Sequence, residues 1–235
     1  MLRFKIGFRK YISIPSSWDD LTYSQVMAMS KCEDDISVIK IATGLNEANS
    51  MQVLPYLQFL LEPISIDDEQ PATMFNDIEI CDIRTKSFGQ KLMIQNEVKK
   101  CTMKESICKI ISIYFMEGKF HPERINQESE KLHQKGFLEL YRVALNLINQ
   151  LKEIIETENR MLKFSPTPEQ QRAGIKEFEI LGDFNVVDEL SQAMRLTYQE
   201  VEDTNYNTIF AKLLKMNISA KFDKKYREIM TSAQK

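Results

Sequence analysis

A long amphipathic segment between Gly136 and Lys163 constrains the fold more than any other feature of the sequence. A coiled-coil dimer needs one narrow apolar row along a helix, whereas two rows give a wide apolar face. Glu158 also interrupts the first row near its end. We therefore predict a long helix packed against several neighbours in a bundle, and self-association through residual apolar surface stays open. The first row is Phe137, Tyr141, Ala144, Ile148, Leu151, Ile155 and Leu162, and the second is Leu140, Leu147, Ile154 and Met161.

Capping boxes indicate where further helices begin. In a capping box, a threonine hydroxyl accepts from the backbone N–H three residues later, and a Gln or Glu there reaches back. The boxes begin at Thr22, Thr102, Thr167 and Thr197. Helices are also predicted over residues 35–43, over 50–61 with a bend at Pro55, and over 168–181 with Gly182 as its stop. Inward-facing residues of the later helices are Val187, Leu190, Met194, Tyr206, Ile209, Phe210, Leu213 and Leu214, followed by Phe222, Tyr226, Ile229 and Met230.

Alternating apolar residues from Leu2 to Ile14 predict a strand or hairpin with one buried face. The alternating residues 77–80 are the best candidate for its partner strand. The fold class is therefore mainly α: a helical bundle with a small N-terminal β-hairpin or sheet, plus a C-terminal helical subdomain. The proline-containing segment Phe164–Pro168 marks the predicted boundary, giving domains of residues 1–164 and 165–235.

Composition and charge exclude several classes of protein. A formal charge of -3 argues against a surface built to neutralise phosphates. The cysteines do not form a Cys-x-x-Cys pair, so reduced, mostly buried thiols and a cytoplasmic location are predicted. We expect neither a signal peptide nor a membrane-spanning segment, because no uncharged run is long and apolar enough.

The sequence offers little material for catalysis. His121 and His133 lie beside no recognisable nucleophile motif. The acidic clusters at residues 33–35 and 67–69 lack the spacing of a calcium loop, and they suit a helix N-terminus and a solvated loop respectively. We therefore expect no catalytic, cofactor-binding or metal-binding residues, and no enzyme.

The C-terminal part separates its charges. Six acidic residues oppose one arginine between residues 183 and 203, whereas seven basic residues oppose two acidic ones between residues 212 and 235. Attraction between these two groups, contact with a protein, or plain solvation can explain the pattern. DNA binding is less favoured, because a helix-turn-helix needs polar residues free for base edges. The predicted partner-binding residues are Lys212, Lys215, Lys221, Lys224, Lys225 and Arg227.

Three stretches resemble a family of tailed-bacteriophage and prophage proteins similar to tail assembly chaperones. Residues Ile14–Thr22 resemble the I-P-x-x-W-x-x-L-T opening of that family. Residues Lys86–Gln90 resemble its T-F-G-Q element, with Ser87 where threonine is commoner. The third resemblance is to the shared ending of those proteins, through Ala173–Phe178, Leu181–Asn185 and Tyr206–Phe210.

The resemblance implies a non-enzymatic assembly factor that binds the tape measure protein, the tail tube protein or both in the host bacterial cytoplasm. The alternative is a permanent virion component, such as a head–tail connector or ring subunit. Within the motifs we expect Trp18 to plug the junction between sheet and helices, Phe88 and Phe184 to anchor the core, and Gly89 and Gly182 to form turns with positive φ. The motif residues are Trp18, Phe88, Gly89, Gly182, Phe184 and Tyr206.

Overall fold

The structure, a computed structural model, describes residues 1–6, 10–60, 69–100, 103–118, 122–163 and 171–232. Those residues contain ten α-helices and two small antiparallel sheets, which confirms the mainly α fold with a small N-terminal hairpin. The strands are β1 (Leu2–Ile6), β2 (Lys10–Ile14), β3 (Met74–Phe75) and β4 (Ile78–Glu79). The helices are α1 (Tyr23–Met29), α2 (Asp35–Thr43), α3 (Glu47–Val53), α4 (Phe88–Lys100), α5 (Met103–Phe115), α6 (Pro122–Leu132), α7 (Phe137–Met161), α8 (Asp183–Met194), α9 (Tyr198–Asp203) and α10 (Tyr206–Ser232).

Both sheets are local hairpins. β1 pairs with β2, and Leu2 lies opposite Ile14. β3 pairs with β4 across Asn76 and Asp77, whose positive φ angles of 48° and 61° suit a tight hairpin turn. The prediction that residues 77–80 pair with the N-terminal strand is therefore wrong. β4 pairs instead with the adjacent strand β3, because closing a short loop costs less chain entropy than closing a long one.

Several helix starts follow the sequence prediction. The capping boxes at Thr22 and Thr197 are both formed. α2 covers the predicted residues 35–43, and its N-cap Asp34 accepts from the Ser37 hydroxyl and backbone N–H, which lowers the pKa of that carboxyl. The boxes predicted at Thr102 and Thr167 lie outside the described residues.

Two predicted helices differ from the observed backbone. α3 ends at Val53, and 3₁₀ turns at Leu54–Tyr56 and Gln58–Leu60 replace the rest of the predicted helix over 50–61. Pro55 explains the early end, because proline lacks an N–H and its ring clashes with the preceding helical turn. Ile175–Leu181 is likewise a 3₁₀ helix within the predicted helix over 168–181.

The chain divides into two compact units. The N-terminal unit comprises Met1–Ile80, Glu97–Met116 and His121–Leu147, and the C-terminal unit comprises Cys81–Asn96, Glu117–Phe120 and Ile148–Lys235. The predicted boundary at Phe164–Pro168 lies outside the described residues and stays a prediction. The N-terminal unit buries Ile14, Leu21, Ile39, Leu57, Ile107, Ile110, Ile111, Tyr114 and Phe137, and the C-terminal unit buries Ile83, Phe88, Ile94, Leu151, Ile154, Leu190, Val201 and Ile209.

α7 confirms the long helix predicted over Gly136–Lys163 and contributes residues to both units. Its two apolar rows are buried from Phe137 to Ile154, after which Met161 is exposed. The wide buried face explains why the helix packs as a bundle element.

Candidate protein-binding site in the C-terminal unit

The segments Lys86–Gln90 and Tyr206–Phe210 meet within the C-terminal unit. Ser87 and Asn205 form an isolated antiparallel bridge. The Phe88 N–H donates to the Thr204 carbonyl at 2.8 Å, and the Tyr206 N–H donates to the Lys86 carbonyl at 3.0 Å. The bridge therefore joins the N-termini of α4 and α10 through their backbones.

Ser87 also caps α4. Its hydroxyl accepts from the Gln90 N–H at 3.2 Å, and the Gln90 side-chain oxygen accepts from the Ser87 N–H at 3.2 Å. This capping box was not predicted, because Lys86–Gln90 was singled out only for its resemblance to a known motif. Its signal was present in the sequence as serine followed three residues later by glutamine.

Gly89 lies inside α4, so the prediction of a positive-φ turn at this residue is wrong. Its role is close approach: an added Cβ would lie 3.0 Å from the Cβ of Glu202 and 3.2 Å from its carbonyl oxygen. At this distance any Cβ at position 89 would require Glu202 of α9 to shift by a few tenths of an ångström.

A buried polar cluster lies beside the bridge. Lys91 is only 3% exposed, and its Nζ lies 2.8 Å from Oε2 of Glu158. The Tyr206 hydroxyl donates to Oε1 of Glu158 at 3.1 Å, and the Lys91 ammonium lies 5.7 Å from the Tyr206 ring centroid. Burial, followed by the charge of Glu158, raises the pKa of Tyr206. Because the charges satisfy each other, the cluster holds helices together rather than offering a reactive group.

The N-terminal unit contains the same bridge. The Tyr23 N–H donates to the Lys135 carbonyl and the Phe137 N–H donates to the Leu21 carbonyl, both at 2.9 Å, around the bridge of Thr22 with Gly136. In both units the bridging Ser or Thr begins a capping box with a glutamine, and a 3₁₀ turn ends two residues before it. In each unit, the same arrangement of backbone hydrogen bonds therefore joins the starts of two helices.

An apolar groove of about 380 Å³ opens in the C-terminal unit and is lined by residues of α4, α8 and α9. Phe184 and Tyr198 lie at its rim with their rings edge to face, 5.4 Å apart, and are 52% and 45% exposed. The prediction that Phe184 anchors the core is therefore wrong. Among the described residues that line the groove, the charged ones are Asp183 and Glu202.

The predicted basic residues lie on α10 and differ in their surroundings. Lys212 donates to the Ala193 carbonyl at 2.9 Å and is partly buried, whereas Lys215 is exposed. Every residue from Ile218 to Ser232 is exposed. The expectation that this stretch packs one apolar face inside the fold is wrong for the described chain. The exposed apolar residues are Ile218, Phe222, Tyr226, Ile229 and Met230.

The remaining motif and candidate residues have structural placements. Trp18 is half-buried with its ring edge to face against Phe59, and Phe88 and Tyr206 are buried. Gly182 has the predicted positive φ, at 51°, between the 3₁₀ helix and α8. His133 stacks on Tyr23, whereas His121 lies outside the described residues.

Glu69 and the cysteines lie in surroundings that differ from those predicted. Glu69, predicted in a solvated loop, pairs with Arg142, and its hydrogen bond raises the pKa of that guanidinium. Of the three described cysteines only Cys108 is buried, and its burial raises the pKa of the thiol to about 12, so mostly buried thiols are not observed.

The described residues contain no cluster of three or more His, Cys, Asp or Glu side chains placed to hold a metal ion. Within the same residues, the helices are too short or too polar to cross a bilayer. Comparisons with family models, with curated proteins and with solved structures found no match.

Proposed function

We propose that the chain is a non-enzymatic phage assembly factor, similar to tail assembly chaperones, that binds the tape measure protein, the tail tube protein or both during virion morphogenesis in the bacterial cytoplasm. The observation that carries the proposal is the exposed half of α10. From Ile218 onward it presents apolar side chains together with lysines on a formed helix.

This half of α10 has the features of a helix that binds another helix. Ile218, Phe222 and Tyr226 follow at intervals of four residues and lie along one face. Amphipathic helical partners are recognised through anchors with this spacing, and flanking charge biases the choice of partner. Lys221, Lys224, Lys225 and Arg227 favour a client helix with acidic residues beside its apolar face.

The choice of clients in this proposal comes from the resemblance to phage proteins, and the fold is compatible with that resemblance. Two of the resembling motifs, Lys86–Gln90 and Tyr206–Phe210, meet at the bridge of the C-terminal unit. Their roles there are to cap and join helices, which leaves client binding to the exposed surface.

Co-expression with the tape measure and tail tube proteins of the genome that encodes the chain tests the proposal. We expect the wild-type chain to copurify with at least one of them, and the Phe222→Ala/Tyr226→Ala variant to lose most of that yield. Tyr11→Ala is the matched control, because Tyr11 is also exposed, at 65%, but lies on β2. Equal recovery with all three chains would contradict binding through α10.

Mass spectrometry of purified particles separates the proposal from a permanent virion component. An assembly factor that departs is abundant in infected-cell lysate and depleted from particles. Presence in fixed stoichiometry with the tail tube subunit would show a connector or ring subunit instead.

A further inference from the structure

The groove of the C-terminal unit combines an apolar lining with two carboxylates. Its volume of about 380 Å³ lies within the ~300–1,000 Å³ range of binding pockets. Leu92 and Val187 supply apolar lining, and Phe184 and Tyr198 stand at the rim. The rim is held in place, because the Tyr198 hydroxyl donates to Asp188 at 2.7 Å.

The two carboxylates of the groove have no basic partner among the described ion pairs. Asp183 accepts from the Asn96 amide at 3.0 Å, and Glu202 lies next to Asp203. Burial, followed by the charge of Asp203, raises the pKa of Glu202. A cation placed in this groove would therefore relieve an unfavourable arrangement of charge.

The exposed half of α10 carries the complementary features. Phe222 and Tyr226 stack with ring centroids 6.1 Å apart and are 66% and 54% exposed. Lys221 and Lys225 each precede one of these aromatic residues, and neither takes part in a described ion pair. An aromatic pair flanked on one side by Lys221 and Lys225 matches an apolar groove whose described charged lining residues are carboxylates.

The helix cannot place this pair in the groove of its own chain. α10 runs unbroken from Tyr206 to Ser232, so a rise of ~1.5 Å per residue puts Phe222 ~24 Å along the axis from Tyr206. Glu202, in the groove, lies just before the start of that helix. A continuous helix carries its distal aromatic residues away from its own first turn.

We infer that Phe222 and Tyr226 of one copy dock in the groove of a second copy, with Lys221 and Lys225 facing Asp183 and Glu202. Each copy carries one helix and one groove, so the contact is head-to-tail. Such contacts form a ring when the rotation closes and an open series when it does not. This self-association goes beyond the proposed client binding and does not depend on it.

A mixing experiment with purified full-length chains tests the inference by sedimentation velocity. The helix variant is Phe222→Ala/Tyr226→Ala, and the groove variant is Phe184→Lys, which places positive charge at an exposed rim position. We expect the wild type to associate with rising concentration and each variant alone to associate at least tenfold more weakly. A mixture should form a heterodimer, because one intact helix then meets one intact groove.

Two results would overturn the inference. A groove variant that associates like the wild type would show that helices pair with helices, and a wild type that remains monomeric up to about 1 mM would show no contact. Lys221→Glu/Lys225→Glu provides a second helix variant on fully exposed positions, and Tyr11→Ala is the control that should associate normally. Circular dichroism confirms that each variant is folded, and the absence of phage clients keeps the result separate from the proposed function.

Discussion

Gly89 contributes by having no Cβ, because its Cα faces the backbone of Glu202 at close range. An alanine in a helix normally stabilises by about 1 kcal/mol relative to glycine. Here the added Cβ would lie 3.0 Å from the Glu202 Cβ, so we expect Gly89→Ala to lower the free energy of unfolding by about 1–3 kcal/mol. Urea denaturation measures the change.

Gly136→Ala is the matched control for this substitution. Gly136 occupies the bridge of the N-terminal unit, where the nearest atom to an added Cβ is the Asp19 carbonyl oxygen at 3.7 Å. That is an ordinary contact, so we expect a change within about 0.5 kcal/mol. Similar losses in both variants would show that close approach is not the cause at Gly89.

Tyr206 links stability to pH. Its pKa is raised in the folded chain, whereas an unfolded tyrosine titrates near ~10. The unfolded state therefore loses its proton first, and the contribution of Tyr206 to stability is complete below pH ~10 and declines above it. We expect Tyr206→Phe to show a shallower loss of stability between pH ~9 and ~11, measured by urea denaturation.

The same substitution also removes the hydrogen bond to Glu158, so its stability at neutral pH should fall by about 1.5–3 kcal/mol. Parallel pH curves for the wild type and the variant would contradict the assignment of the alkaline loss to Tyr206. Tyr11→Phe, at an exposed strand position, controls for replacing a tyrosine without removing a buried hydroxyl.

At the scale of elements, α10 combines a packed beginning with an exposed end. Ile209 is fully buried, whereas Ile218 on the same helix is 58% exposed. We expect Ile209→Ala to cost about 2–5 kcal/mol and Ile218→Ala less than about 1 kcal/mol. Thermal and urea unfolding measure the stability of the two variants, and they thereby compare the same Ile→Ala substitution at a buried site and at an exposed site. The measurement is made at low protein concentration, where copies do not associate, and a large loss at Ile218 there would show that the distal half packs against its own chain.

The elements themselves were largely predictable because their signals are local. The Thr22 and Thr197 boxes and the extent of α7 follow from side chains a few residues apart. Strand pairing at residues 77–80 was not predictable in this way, since alternation shows which face is buried and not which strand lies beside it. The apolar face near Phe222 was misread for the same reason: periodicity shows that a face exists, and not what covers it.

At the scale of the whole molecule, the separated charges predict a response to salt. If acidic groove and basic helix meet between copies, raising NaCl from about 0.05 to about 1 M shortens the screening length from above 10 Å to about 3 Å. We expect self-association to weaken by several-fold over this range, measured by sedimentation velocity. Association that strengthens with salt would indicate an apolar contact without the proposed charge pairing.

The candidate site was only partly predictable from sequence. Lys221, Lys224 and Lys225 were identified from local composition, and they are exposed. The groove was not, because Leu92, Val187 and Tyr198 lie far apart in the chain and carry no shared motif. The ion pair between Lys91 and Glu158 was also not predictable, because the sequence around neither residue indicates that the two lie in contact.

The bridge found in both units affects how relatives of this chain can be detected. Its register is held by main-chain N–H and C=O groups, so most of its side chains are free to diverge while the geometry persists. The two occurrences share little more than a hydroxyl residue and a glutamine three places later. Distant homologues are therefore better found by comparing the backbone hydrogen-bond register around paired helix starts than by aligning amino-acid sequences.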